Sequence, residues 1–402
     1  MKAFLLIALL ATQAVQAQST QDLLHGAEAA LASSLPELVS IRHDLHRNPE
    51  LSGQEVRTAG IVAEHLEALS FSVRRGIGGH GVVGVLEGGS PGPTIAFRAD
   101  MDAVRSSAPD PVSYASQVPG VRHICGHDIH TVVGLAVANA AAAVKDEMAG
   151  AVMLIFQPAE ETASGANAML ADGLFGDRMP DAILALHTAP YPVGTVATTA
   201  GGMMASRTNL VVEVSGPGRR ETATRVAAAV DGLGTVTQAL QSAAKDDVLV
   251  QRRGGPTTIR AQIMTADAAT LESLPERLNR ALAGIEASDV SIRPQFDLAA
   301  IAGVTNDSAL VARSRAALSA LAPDIIVAPI TQVIPAFSED FGSFQRHVPG
   351  MMFFLGVSNP ENGIRGMPHA PDYVADDGAI AVGARTILTS LLAEMHHRQG
   401  GY

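Results

Sequence analysis

His123-Ile124-Cys125-Gly126-His127-Asp128-Ile129-His130 packs three imidazoles, one carboxylate and the only thiol of the chain into eight residues. Such a density asks for a metal. Cys125 and His127, two apart, cannot share one helix face, but a turn lets them converge on one cation, and Gly126 permits the backbone that such a turn needs. The Ala/Val-rich run from Thr131 to Val144 reads as a buried helix. The turn is therefore expected at a helix N-terminus, where free N–H groups and the dipole favour thiolate and carboxylate.

Outward from this stretch, helices and strands alternate. Leu31, Leu35, Leu38, Ile41 and Leu45 recur at helical spacing within a helix from Leu23 to His46, closed by Asn48-Pro49, and Glu55 to Leu69 repeats the period. Short strands are expected over Phe71–Val73, Val82–Leu86 and Thr94–Arg98, the last delivering Asp100 and Asp102. Downstream, the apolar run Ala151–Phe156 is followed by Gln157-Pro158 and then Glu160-Glu161. In an extended chain adjacent side chains diverge, so one carboxylate can reach a cation while its neighbour holds a water, although the same pair also suits the start of a solvated helix. A third strand, Ala182–Leu186, is expected to end in His187, with Pro190 and Pro192 stiffening the loop behind it. Open α/β sheets bring successive strand ends to one edge, which is where their ligands sit.

From residue 206 the pattern changes. A strand over Leu210–Val214, a long helix over Thr224–Ala244, a break at Arg252–Pro256, a strand over Thr258–Met264, a helix over Ala268–Ile285 and a strand over Val290–Phe296 suit a small second layer. From Asn306 the buried pattern returns with a helix to Leu321, a loop over Phe337–Asp340, the strand Met351–Leu355 and the loop histidine His369 between prolines. The expected fold class is α/β: a catalytic domain with a mixed, mostly parallel sheet between helices, residues 18–205 and 305–402, carrying an inserted smaller α+β lid, residues 206–304.

The length of 402 residues accommodates two domains. A formal charge of −12 argues against nucleic acid or an anionic membrane as partner, which leaves a small-molecule substrate. Lys2, the apolar run Phe4–Ala11 and the small residues Val15 and Ala17 read as a signal peptide over residues 1–17, and no later segment offers an uninterrupted transmembrane run. The chain is thus expected to be exported, periplasmic or extracellular.

HDLHRNPELSGQE at 43–55, RADMDA at 98–103, ICGHDIH at 124–130, IFQPAEE at 155–161, LHTAPYPVG at 186–194 and SEDFGSF at 338–344 together resemble the amidohydrolase branch of the aminoacylase/carboxypeptidase metallopeptidases, which includes hippurate hydrolase and the auxin-conjugate hydrolases. The resemblance implies a metal-dependent amidohydrolase acting on N-acyl amino acids or related small amides. It implies two divalent ions (Zn, Mn, Co or Ni) held by Cys125, His127, Glu161, His187 and His369, with Glu160 as general base and Asp102 as an orienting partner. Other readings are a carboxypeptidase or dipeptidase, and a non-catalytic metal- or ligand-binding relative. The lid departs from the family: Gly216-Pro217-Gly218-Arg219-Arg220 stands where relatives place a histidine that serves a partner subunit, and the lid looks shortened. Arg219 or Arg220 could contact an oxyanion or a substrate carboxylate in its place. The resemblance allows a homodimer, which the altered lid argues against.

Overall fold

The structure is a computed structural model and describes residues 2–236, 248–265, 268–285, 289–330 and 338–400. The chain divides into two compact units, one of Met1–Thr198, Asp307–Pro329 and Arg346–Tyr402, the other of Thr199–Asn306 and Ile330–Gln345. Segment Ile330–Gln345 thus groups with the second unit, whereas the sequence-based ranges place it with the catalytic domain.

The first unit is built on an eight-stranded sheet. Its strands are β1 (Ser72–Ile77), β2 (Gly81–Glu87), β3 (Ser90–Asp100), β4 (Ala149–Gln157), β5 (Ala182–Pro192), β6 (Thr195–Thr198), β7 (Ile326–Pro329) and β8 (Gly350–Ser358), in the spatial order β1-β2-β4-β3-β5-β8-β6-β7. The pairs β4/β3, β3/β5, β5/β8 and β6/β7 are parallel, and the rest are antiparallel. Strands buried on both faces must be apolar throughout, and β4 is buried along almost its whole length. The sheet is packed by α1 (Lys2–Arg47), α2 (Val56–Ala68), α3 (His127–Ala143), α4 (Ser308–Leu321) and α5 (Gly378–Arg398). Small residues let α3 approach closely: a Cβ on Gly134 would come within 2.7 Å of the Phe156 ring. Among the described residues only α5 is long and apolar enough to cross a membrane, and 72% of its apolar window is buried inside the protein.

Several boundaries differ from those read in the sequence. The helix expected to open at Thr131 starts at His127, because Gly126 takes a left-handed φ of 90° and turns the chain straight into it. The strand expected to end in His187 continues to Pro192, since β8 pairs with it through that stretch, and a proline on a side free of ladder bonds need not end a strand.

The second unit carries a five-stranded sheet in the order Thr235–Val236, Val248–Gly254, Thr258–Thr265, Ser206–Ser215, Ser291–Ile301. Alternation along Ser206–Ser215 turns Leu210, Val212 and Val214 towards the helices Arg219–Asp231 and Ala268–Ala283, where they meet Val226, Val230, Leu274 and Leu278. The helix expected over Thr224–Ala244 ends at Asp231, where Gly232 and Gly234 interrupt it, and residues 237–247 lie outside the described residues. The break expected at Arg252–Pro256 is instead the end of a strand and a hairpin tip, with Gly254 paired to Ile259. Phe337, placed in a loop by sequence, lies outside the described residues.

Candidate metal centre

Parallel pairing of β4, β3 and β5 puts their C-terminal ends side by side. Each end carries ligand chemistry: Asp100 closing β3 and Asp102 just after it, Glu160 and Glu161 after β4, and His187 within β5. The turn before α3 adds Cys125, and the first position of α3 adds His127. The loop carrying His369 is tied to it by the His369 N–H, which donates to the Ile124 carbonyl at 2.8 Å. All of these lie in the first unit.

Donor atoms of Cys125, His127 and His187 lie within 4.8 Å of one another, and so do those of Cys125, Glu161 and His369; Cys125 belongs to both groups. His187 donates through Nδ1–H to the Thr188 carbonyl at 2.8 Å, which leaves the Nε2 lone pair facing Cys125 Sγ at 3.3 Å. His127 donates through Nδ1 to Asp102 Oδ1 at 3.2 Å. Its buried Nε2 has no hydrogen-bond partner among the described residues, and neither does Glu161 Oε1. Oxygens of Asp100, Glu160 and Glu161 each stand 3.8 Å from that Nε2, and Glu161 Oε1 is 3.4 Å from His369 Nε2. Orphaned buried atoms are rare in native proteins, and here two of them face each other amid carboxylates, a thiol and imidazoles. The donor set fits divalent cations.

The electrostatics agree. Burial works against charge on His127, but Asp100 and the bond to Asp102 outweigh it and lift the imidazole to about 10. Burial, with His130 beside it, drops His187 to about 3, so that ring is a neutral donor. Burial and then the carboxylates of Glu161 and Glu160 push the Cys125 thiol well up. Protons hold the places of cations.

Sequence reasoning passed over several residues that build the centre. His130 donates through Nδ1 to Asp100 Oδ1 at 2.6 Å and accepts from the Thr188 N–H through Nε2 at 2.8 Å, while Arg98 donates to Asp100 Oδ2 at 2.7 Å. With both ring nitrogens engaged, His130 supports the centre and offers no free donor, although it lies among ligand-type groups. Asp128 turns away from the metal donors to bind Arg42 at 3.1 Å and His46 at 2.9 Å, both from α1, which fastens the turn to that helix. The signal for this was the stretch RHDLHR at 42–47, whose Arg42 and His46 are too polar for a buried helix face without a partner. The Glu160-Glu161 pair opens no helix: it lies in a turn, and the next helix starts at Gly165. Arg219 and Arg220 are exposed in the first turn of the helix Arg219–Asp231.

Residues 96–393 match peptidase family M20/M25/M40. The chain is 30% identical over 374 residues to thermostable carboxypeptidase 2 of Saccharolobus solfataricus, covering 86% of this chain and 92% of that one. It is 31% identical to the N-acetyldiaminopimelate deacetylase of Bacillus cytotoxicus, covering 86% and 96%. Among solved structures, the Bacillus subtilis YXEP protein, a dinuclear metal-binding peptidase of the M20 family, superposes with a TM-score of 0.75 at 26% identity, covering 90% of this chain and 99% of that one. Converging metal donors on an α/β sheet and a family match over most of the sequence lead to one conclusion: the chain belongs to peptidase family M20/M25/M40 and is a metal-dependent hydrolase of amide bonds.

Proposed function

We propose that the chain hydrolyses N-acyl amino acids, with Cys125, His127, Glu161, His187 and His369 holding two divalent ions and Glu160 as general base. The observation that carries this reading is that Glu160 Oε2 and Glu161 Oε1 both lie 3.8 Å from the same unpartnered nitrogen, His127 Nε2. Base and ligand thus face one point. The bound ions supply Lewis acidity towards the amide carbonyl and the attacking water. Glu160 takes the proton from that water as its oxygen joins the acyl carbon, and returns it to the leaving nitrogen as the C–N bond breaks. Asp102 holds His127 in the tautomer whose Nε2 lone pair faces the ions, and it accepts the backbone N–H groups of Glu160 and Glu161 at 3.1 and 3.0 Å. Thiolate ligation leans towards Zn, and the carboxylate admits Mn, Co or Ni. Residues 1–17 direct export, with the mature chain starting near Gln18.

Replacing Glu160 by Gln tests the base: hydrolysis falls roughly 10²-fold or more while metal content persists. Equal activity would move the base elsewhere. Screening the metal-loaded protein against N-acyl amino acids and dipeptides sets the substrate class. A preference for dipeptides would replace the amidohydrolase reading by the carboxypeptidase or dipeptidase one. N-terminal sequencing of the exported chain tests the cleavage after Ala17.

A further inference from the structure

The turn that carries Glu160 is held in an unusual conformation. Ala159 and Ala163 both have positive φ, 53° and 54°, although neither is glycine. The turn closes on itself: the N–H groups of Ser164 and Gly165 both reach the Ala159 carbonyl, and a Cβ on Gly165 would come within 1.7 Å of the Pro158 carbonyl oxygen. Non-glycine residues stay left-handed only where their surroundings over-determine them. Here three consecutive N–H groups donate to two buried carboxylates. Glu160 and Glu161 donate to Asp102, and Ala159 donates to Glu55 Oε1 at 2.8 Å.

Glu55 has no other evident task. It is fully buried at the start of α2, yet its side chain does not cap that helix. The cap comes from Glu50, whose two oxygens accept from the Arg57 and Thr58 N–H groups at 2.9 and 2.8 Å. Glu55 Oε1 accepts in addition from Gly53 N–H at 2.9 Å, and Oε2 has no hydrogen-bond partner among the described residues. An apolar side chain would be cheaper to bury at that position. The cost is met by what Oε1 holds.

We propose that Glu55 is a positioning residue for Glu160: by taking the Ala159 N–H it fixes the left-handed turn that aims the Glu160 carboxylate. This rests on the reading of Glu160 as base. The Glu55 side chain accepts from the Gly53 and Ala159 N–H groups, and it acts on Glu160 through the second of these bonds.

The test compares Glu55→Gln with Glu55→Leu. The amide oxygen of Gln can accept both N–H groups, so Glu55→Gln keeps kcat within about threefold, whereas Glu55→Leu lowers kcat by about tenfold or more at nearly unchanged KM. Amide hydrogen exchange on the metal-free chain gives a readout independent of turnover: the peptide spanning 157–165 exchanges faster in Glu55→Leu and as in wild type in Glu55→Gln. Unchanged exchange or undiminished kcat in a folded Glu55→Leu overturns the proposal. So does loss of activity in Glu55→Gln, which decides the matter even if the leucine variant does not fold. Should Glu160→Gln prove fully active while the exchange pattern holds, the base assignment fails and the brace stands.

Discussion

Cys125 Sγ stands 3.3 Å from His187 Nε2, with the other ring nitrogen of His187 committed to the Thr188 carbonyl. Thiol and imidazole therefore meet head to head, an arrangement worth little without a cation between them and a great deal with one. Burial and the Glu161 and Glu160 carboxylates keep the thiol protonated at neutral pH, and His127 is lifted to about 10 despite its burial. A metal ion needs the thiolate and the free imidazole lone pair, so binding displaces one proton from each. Both groups are protonated below their raised pKa values, so protons compete throughout the neutral range and metal affinity rises with pH. Calorimetric Zn²⁺ titration in buffers of different ionisation enthalpy is expected to find on the order of two protons released. A release of zero would remove Cys125 and His127 from the ligand set.

Asp102 accepts from four groups: His127 Nδ1, the N–H groups of Glu160 and Glu161, and the Ser52 hydroxyl at 2.6 Å. An asparagine there turns an NH₂ towards two of these donors. Asp102→Asn is expected to weaken metal binding by about 10- to 100-fold, read by competition with a chromophoric chelator. Affinity equal to wild type would show that His127 keeps its orientation without the carboxylate.

Gly126 has φ of 90°, and a Cβ there would lie 2.2 Å from Tyr373 Oη and 2.7 Å from the Thr188 side chain. Gly126→Ala is expected to lose about 1–2 kcal/mol for the left-handed backbone and a further ~1–3 kcal/mol for the overpacking. Urea unfolding of the metal-free protein measures this, and a loss below about 0.5 kcal/mol would mean that the turn has another accessible conformation.

Arg42 and Asp128 form a fully buried ion pair, extended through His46 to Asp110 at 3.1 Å. Arg42→Met leaves Asp128 buried without its main counter-charge and is expected to cost about 3–5 kcal/mol. The double variant Arg42→Met with Asp128→Leu should recover part of that loss. A double variant no more stable than Arg42→Met alone would mean that the pair acts through its packing and not its charge.

Much of the candidate centre was legible in the text of the chain because its ligand-type residues sit in short, dense segments. ICGHDIH and the ends of three apolar runs marked out Cys125, His127, Glu160, Glu161 and His187 with no coordinates. The buried residues around them left weaker traces. Asp100 looked like half of an acid pair, and only the fold shows it bonded to His130 and Arg98. Glu55 closed the motif at 43–55, but nothing there showed its role, because the group it serves is the backbone N–H of Ala159, far along the sequence.

By itself the sequence determined the alternation of helices and strands, the α/β class, the donor chemistry and the family, since periodicity, residue type and short motifs are local properties of the chain. It misplaced the second unit's long helix, where Gly232 and Gly234 prevailed over a periodic apolar pattern. Only the tertiary structure decided which ring nitrogen of each histidine is left for a cation, which carboxylate orients and which is left facing it, and what holds the Glu160 turn. Apart from the bond of His187 to the neighbouring Thr188 carbonyl, those outcomes depend on hydrogen bonds between residues 25 to 104 positions apart, and the ends of the parallel strands meet only when the sheet brings them to one edge.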